Sequence, residues 1–316
     1  MLALPIAVGV TTHLVTEGVF ASIGALNVLL VQLHGDARDR LYRSAWALAL
    51  NTLLLALGTC VATLGWLEVP LVAIVLTFVH VVNRIPGSEN LSLVVSVMFV
   101  LGAGLPGASI ASAVQRGELA FLGGALALVG LAVHFASLRA VGRPLPARDR
   151  ATTAVATAGL REWPHAVAVG LTTAAGLGLG LALGLPRDYW VMLTVVVVLR
   201  ARFRDTLETG VARVVGTVLG AAVAAVVTLA LVPASIQGVL MVAFAFLFIA
   251  VQRVNYVLVS FGLTVFVILL LNLEFPAGVL LAETRVLDTG IGGGLAIAAA
   301  AVLWYAYDRR EANAPG

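Results

Sequence analysis

The chain contains no lysine, and all nineteen of its basic residues are arginine, as a GC-rich genome favours. Its single Cys60 cannot close an intrachain disulfide, and its five histidines form no cluster with zinc spacing, so no metal or prosthetic cofactor is expected. Charge is scarce as well: 11% of residues are charged, where a soluble domain carries about 25%. A soluble two-domain reading of the 316 residues is thereby excluded. What fills the space is apolar. Hydrophobic residues make up 61% of the chain, and the mean hydropathy is +1.06. Twelve spans of ~20 residues use about 240 residues and leave roughly 76 for loops and tails. That remainder holds neither an enzyme domain nor a nucleic-acid-binding domain. The composition is that of an all-α, polytopic membrane protein, with the lipid bilayer as its first partner.

Apolar runs bounded by Arg, Pro and Gly predict helices near 1–15, 18–33, 44–64, 69–83, 90–105 and 119–141. A second set is predicted near 164–184, 189–200, 207–232, 235–251, 256–273 and 286–307. The first run has no basic n-region and no small-residue cleavage site, so it reads as a retained span rather than a signal peptide. Arginine sets the orientation. Segments that follow even-numbered helices hold sixteen of the arginines, against Arg116, Arg187 and Arg285 on the other side. Basic segments stay in the cytoplasm, which places both termini there and the chain in the inner membrane.

The halves resemble each other. A shift of 170 residues pairs Arg43 with Arg213, Pro106 with Pro276, Gly123 and Gly124 with Gly293 and Gly294, and Arg139 with Arg309. Six helices per half return the chain to the same side, so the expected repeat is parallel, and transport sites favour such repeat interfaces. The expected organisation is a first repeat at 1–141, a cytoplasmic linker at 142–163, a second repeat at 164–310 and a tail at 311–316.

The stretch 189–220 carries the most chemistry. A short apolar run opens at Tyr189 and Trp190, passes Thr194, and turns through Arg200, Arg202, Arg204 and Asp205. On the helix that follows, Thr206, Gly210, Arg213, Thr217 and Gly220 recur at helical spacing, giving one small, polar and cationic face. Gly216 and Gly220 form a Gly-x-x-x-Gly pair that permits close approach of a neighbouring helix.

The pattern Tyr189-Trp190-x-x-x-Thr194, a valine run, Thr206, and Arg213-x-x-Gly216-Thr217-x-x-Gly220 resembles the signature of the fusaric-acid-resistance family. That family includes aromatic acid exporters and is related to plant aluminium-activated malate transporters. The resemblance implies a transporter of organic acids rather than an enzyme, commonly an efflux system, with a small organic anion as substrate. Malate-type relatives pair two six-helix units, which a duplicated chain supplies by itself; homo-oligomerisation stays open. The sequence departs from the pattern in its basic turn, LRARFRD, and in its first half. Phe20 stands at the Trp190 position and Arg43 at the Arg213 position, but Gly24 replaces Thr194 and Trp46 replaces Gly216. Many exporters also carry a large soluble domain, for which the expected twelve spans leave no room within these 316 residues.

Arg213 is the leading candidate for anion selection, because a cation about two turns inside a membrane helix is costly without water, a carboxylate or a substrate anion. Snorkelling to headgroups, or pairing with Asp205 or Glu208, is the competing structural role. Thr206, Thr217, Trp190, Thr194 and Arg43 are the further pathway candidates. Arg200, Arg202 and Arg204 are topogenic charges at a cytoplasmic mouth, where they also concentrate anions. His13, His80 and His134 are the candidate proton carriers, against an ordinary packing role. Two other classes stay open. Gly35 to Arg43 resembles the G-x-x-x-D-R-x-G-R motif of the major facilitator superfamily, although Tyr42 replaces its second Gly. A non-transporting membrane scaffold would need no polar helix face.

Overall fold

The computed structural model describes residues 3–12, 14–30, 36–82, 89–142, 162–252, 254–274 and 277–312, and every regular element among them is helical. His13, Arg84, Arg253, Pro276, the linker positions 143–161 and the tail positions 313–316 lie outside the described residues. The chain divides into two compact units, Met1–Ala166 and Val167–Gly316.

The first unit comprises α1 (Ala3–Thr12), α2 (Val15–Leu30), α3 (Ala37–Val61), α4 (Glu68–Val82), α5 (Glu89–Gly104) and α6 (Ile110–Ala140). The second opens with α7 (Glu162–Leu183), which begins just before the division. It continues with α8 (Tyr189–Val198), α9 (Phe203–Leu229), α10 (Ala234–Val251), α11 (Tyr256–Glu274) and α12 (Gly278–Ala312).

Among the described residues, five helical stretches are long and apolar enough to cross a membrane: 37–82, 110–140, 163–183, 203–229 and 278–306. The first of these is not one rod. A 3₁₀ segment at Ala62–Leu67 joins α3 to α4, and Gly65 within it takes φ 60° and ψ −133°, a conformation that glycine alone adopts without strain. Shorter apolar helices at 16–30, 91–104, 189–198, 236–251 and 256–272 complete the bundle material. The chain is a membrane-integral helical protein.

Four helices begin four or more residues before their apolar runs. The helix predicted at 44–64 starts at Ala37, where Asp36 caps it by accepting from the Asp39 N–H at 2.8 Å. The one predicted at 119–141 starts at Ile110, behind a capping box made by Ser109 and Ser112. Those predicted at 207–232 and 286–307 start at Phe203 and Gly278. An apolar run marks where a helix meets hydrocarbon, whereas backbone hydrogen bonding and caps decide where it begins. The difference matters for function, since it moves Arg116 and Arg285 from loops into helices.

Packing between helices relies on small residues, as expected where lipid gives no hydrophobic drive to association. In the first unit α3 pairs closely with α5 and α6, and α2 with α6. A Cβ on Gly102 would stand 2.9 Å from the Thr59 nitrogen, so α3 and α5 cross almost backbone to backbone. Ala25, Val28, Leu48 and Ala127 fill the space beside α2, α3 and α6. In the second unit the closest pairs are α9 with α11, α9 with α12, α10 with α11, and α8 with α12. Phe244 meets Phe261 edge-on across α10 and α11, with ring centroids 5.6 Å apart.

Candidate functional site

The small polar face read on α9 is buried. Thr206, Gly210, Arg213, Gly216, Thr217 and Gly220 all point inward, while Val211, Val215, Val218 and Leu219 are exposed on the opposite side. The glycines explain how α11 comes so near. A Cβ on Gly220 would lie 2.6 Å from the Phe261 carbonyl oxygen, and one on Gly216 would overlap the Val257 carbonyl.

The hydroxyls on this face are mostly committed to holding the structure. Thr206 splints the break between α8 and α9. Its Oγ1 accepts from the Arg200 N–H at 2.9 Å and lies 3.2 Å from the carbonyls of Arg200 and Arg202. Thr194 donates to the Trp190 carbonyl at 2.8 Å, one turn back. Thr217 and Ser260 share a hydrogen bond of 3.2 Å, and the Ser260 hydroxyl donates to the Arg213 carbonyl at 2.9 Å. These bonds tie α9 to α11 around the Arg213 turn.

Arg213 is different. It is only 4% exposed, yet its guanidinium makes one long contact, Nη1 to the Tyr256 hydroxyl at 3.4 Å, and its Nε has no partner. The structure does not pair it with Asp205 or Glu208. Glu208 instead bonds Arg204 at 2.8 Å, both side chains being exposed, and Asp205 is exposed as well. Among the basic residues of the turn, Arg202 and Arg204 are exposed and Arg200 is half-buried.

A second buried arginine joins this neighbourhood. Arg285, two turns into α12, is 3% exposed and lies over the indole of Trp190, with Cζ 4.5 Å from the ring centroid. Its Nε and Nη1 have no hydrogen-bond partner. Asp288, one turn further on, is fully buried, and neither carboxylate oxygen has a partner. Arg213, Tyr189, Tyr256 and Asp288 all lie within electrostatic reach of Arg285. Arg187 approaches Trp190 as well, at 5.8 Å. The second unit therefore buries two guanidinium groups with unmet donors, lined by tyrosine hydroxyls and one indole. Such an interior suits an anion.

Sequence reasoning assigned Arg285 to an outer loop and overlooked Asp288. The signal was present: Arg285, Asp288, Thr289, Gly292 and Ala296 fall at helical spacing, and the four that carry side chains are all buried.

The remaining candidates are placed elsewhere. Arg43 is half-buried in the second turn of α3, which takes in residues 37–43 of the motif compared above with the major facilitator superfamily, while Gly35 lies outside the described residues. His80 is half-buried on α4 with Nδ1 3.0 Å from the Leu76 carbonyl oxygen, and His134 is exposed on α6. Among the described residues, no group of three or more His, Cys, Asp or Glu side chains is arranged to hold a metal.

Comparison with known proteins covers the same part of the chain. Residues 173–299, which include α8, α9 and the Arg285 turn, match the family described as fusaric acid resistance protein-like. Inner membrane protein YccS of Escherichia coli (strain K12) is 34% identical over 142 residues, which is 44% of this chain and 19% of that protein. Protein ORF2 of Neisseria gonorrhoeae is 30% identical over 140 residues, covering 44% of this chain and 34% of its own length. Protein YhfK of Escherichia coli (strain K12) is 31% identical over 126 residues, or 40% of this chain and 18% of that protein. The matches thus span between about a fifth and a third of these relatives. No solved structure matches the chain significantly. Within the second of its two units, residues 173–299 are thus similar to the fusaric acid resistance protein-like family, and the chain shares this region with an inner membrane protein.

Proposed function

We propose that the protein is a transporter that exports organic or aromatic carboxylates across the inner membrane, and that Arg213 selects the anion. The observation that carries this reading is a guanidinium 4% exposed, inside a membrane helix, with an unpartnered Nε and a single weak side-chain contact. Burying a charge without partners is expensive, and a carboxylate that binds there relieves the cost. Tyr256 adds a hydroxyl beside it.

The proposed architecture is two parallel six-helix repeats with both termini cytoplasmic. Helix ranges support it: α3 to α6, shifted by 170 residues, fall at 207–231, 238–252, 259–274 and 280–310, close to α9 through α12. Two close pairings correspond, α3 with α5 to α9 with α11 and α3 with α6 to α9 with α12, whereas α10 packs closely on α11 and α4 only lightly on α5. The orientation rests on the arginine asymmetry of the sequence.

The test is flux of labelled carboxylates in reconstituted vesicles, with and without a pH gradient and a membrane potential. Charge-assisted hydrogen bonds contribute about 1.5–3 kcal/mol. Arg213→Ala is therefore expected to slow carboxylate flux roughly 10- to 100-fold, at ~1.4 kcal/mol per factor of ten. Arg213→Lys restores part of it, keeping the charge without the planar fork. Normal flux per surviving molecule, with lower abundance, would instead make Arg213 a structural cation.

A further inference from the structure

Two of the buried groups in the second unit are left unused by a single-site reading. Arg285 stacks on Trp190 and offers Nε and Nη1 to no acceptor, while Asp288, on the same face of α12, offers two oxygens to no donor. Opposite charges one turn apart would normally close on each other, yet no hydrogen bond joins them here. The indole is one reason. It lies under the guanidinium, 4.5 Å from Cζ to the ring centroid, which favours a cation but supplies no acceptor. The Nε and Nη1 donors of Arg285 are left without one.

We propose that Arg285, held by Trp190, is a second carboxylate-binding station, distinct from Arg213, and that Asp288 weakens it enough for the anion to leave. This rests on reading the second unit as an anion path. Arg213 lies ten residues into α9 from its Phe203 end, and Arg285 lies seven residues into α12 from its Gly278 end. The two cations thus come from different helices while remaining within electrostatic reach of each other. A permeation path must bind firmly enough to admit an ion and loosely enough to release it. Two guanidinium groups alone would hold a carboxylate too tightly. A buried carboxylate beside one of them lowers the local positive potential and favours release. The expected ligand is a small organic carboxylate, since a planar fork matches a carboxylate's two oxygens better than it matches a spherical halide.

Trp190 is itself the reporter. Trp46, Trp66, Trp163 and Trp304 are all about half exposed or more, whereas Trp190 is 2% exposed, so replacing the other four by Phe leaves one buried indole at the site. This single-tryptophan protein, purified and reconstituted in lipid nanodiscs, is titrated with acetate and with malonate, and with chloride at matched ionic strength. The expected result is a saturable change in Trp190 emission with both carboxylates and at least roughly tenfold weaker binding of chloride, equivalent to ~1.4 kcal/mol. Arg285→Gln is expected to weaken carboxylate binding by about tenfold or more, and Asp288→Asn to tighten it several-fold. Where Arg285→Gln fails to fold, Arg285→Lys serves, with intermediate affinity expected. The proposal is overturned if the Arg285 variants titrate like the parent, if Asp288→Asn weakens binding, or if chloride competes equally. Flux separates the two readings. Titrations as expected in a protein that carries no carboxylate would sink the transport reading and leave the station. Arg213-dependent flux together with unchanged titration of Arg285→Gln would sink the station alone.

Discussion

Each unit buries an arginine near the start of its last helix and lays it over an aromatic ring, and the two arginines have met their needs differently. Arg116 on α6 stands 5.5 Å from the Phe20 ring centroid, and its guanidinium reaches back to the carbonyls of Leu105 and Pro106 in the turn between α5 and α6. Arg285 on α12 sits closer to Trp190, and its Nε and Nη1 reach no carbonyl. The first arrangement staples a turn. The second leaves donors open in the interior, where unmet polar groups cost most. Burial alone therefore does not distinguish a structural cation from a binding one; the fate of its N–H groups does.

The comparison sharpens first in transport. Arg43→Ala is expected to slow carboxylate flux far less than the roughly 10- to 100-fold expected for Arg213→Ala, because Arg43 is half-buried whereas Arg213 is 4% exposed with an unpartnered Nε. Equal losses in the vesicle assay would mean that both units carry anion. Stability gives the next contrast, of opposite sign in the two units. Arg116→Met strips the Leu105 and Pro106 carbonyls of a donor and is expected to lower stability by about 1–3 kcal/mol. Arg285→Met removes an unpaired buried charge and is expected to leave the thermal midpoint in detergent unchanged or raised, by as much as ~1–4 kcal/mol of stability. A lowered midpoint for Arg285→Met would show that the guanidinium is already satisfied.

Close approach of helices supplies a third test within the second unit. Gly216→Ala places a methyl against the Val257 carbonyl, an overlap backbone cannot relieve cheaply, and about 1–3 kcal/mol of stability is expected to be lost. Gly290→Ala on α12 meets nothing within 4 Å and is expected to be neutral or slightly stabilising. The smallest effect is at the basic turn between α8 and α9. Arg204→Ala breaks an exposed pair with Glu208 and is expected to leave the thermal midpoint where it was, since such pairs are screened by water and salt.

The helical membrane class was legible because composition leaves no other solvent for so apolar a chain. The α9 face was legible for a local reason: Thr206, Gly210, Arg213, Thr217 and Gly220 repeat at helical spacing, and all are buried. Arg285 was not legible by the same route. An apolar-run criterion places the helix start at 286, one residue past the arginine, and thereby makes an interior cation look like a loop charge. Extending the helix to Gly278 changes its meaning entirely. Thr206 shows the converse. Its position on the polar face suggested a pathway role, while its hydroxyl is spent on the backbone at Arg200 and Arg202. A side chain's spacing reports its direction, but only its partners report what it is free to bind.

The brevity of α8 has an electrical consequence. Ten residues rise about 15 Å, roughly half of a hydrocarbon layer of ~30 Å, and Leu199 and Arg202 beyond its end are extended. Seated within that layer, α8 cannot span it, so at least one of its ends lies inside the insulating thickness. Non-helical backbone at that depth persists only inside protein or beside water. Where water reaches such an end it would short out part of the membrane, and the voltage would fall across a thinner septum than the bilayer itself. A monovalent anion crossing that septum would experience nearly the whole drop, about 2.3 kcal/mol per 100 mV, within a few ångströms rather than thirty.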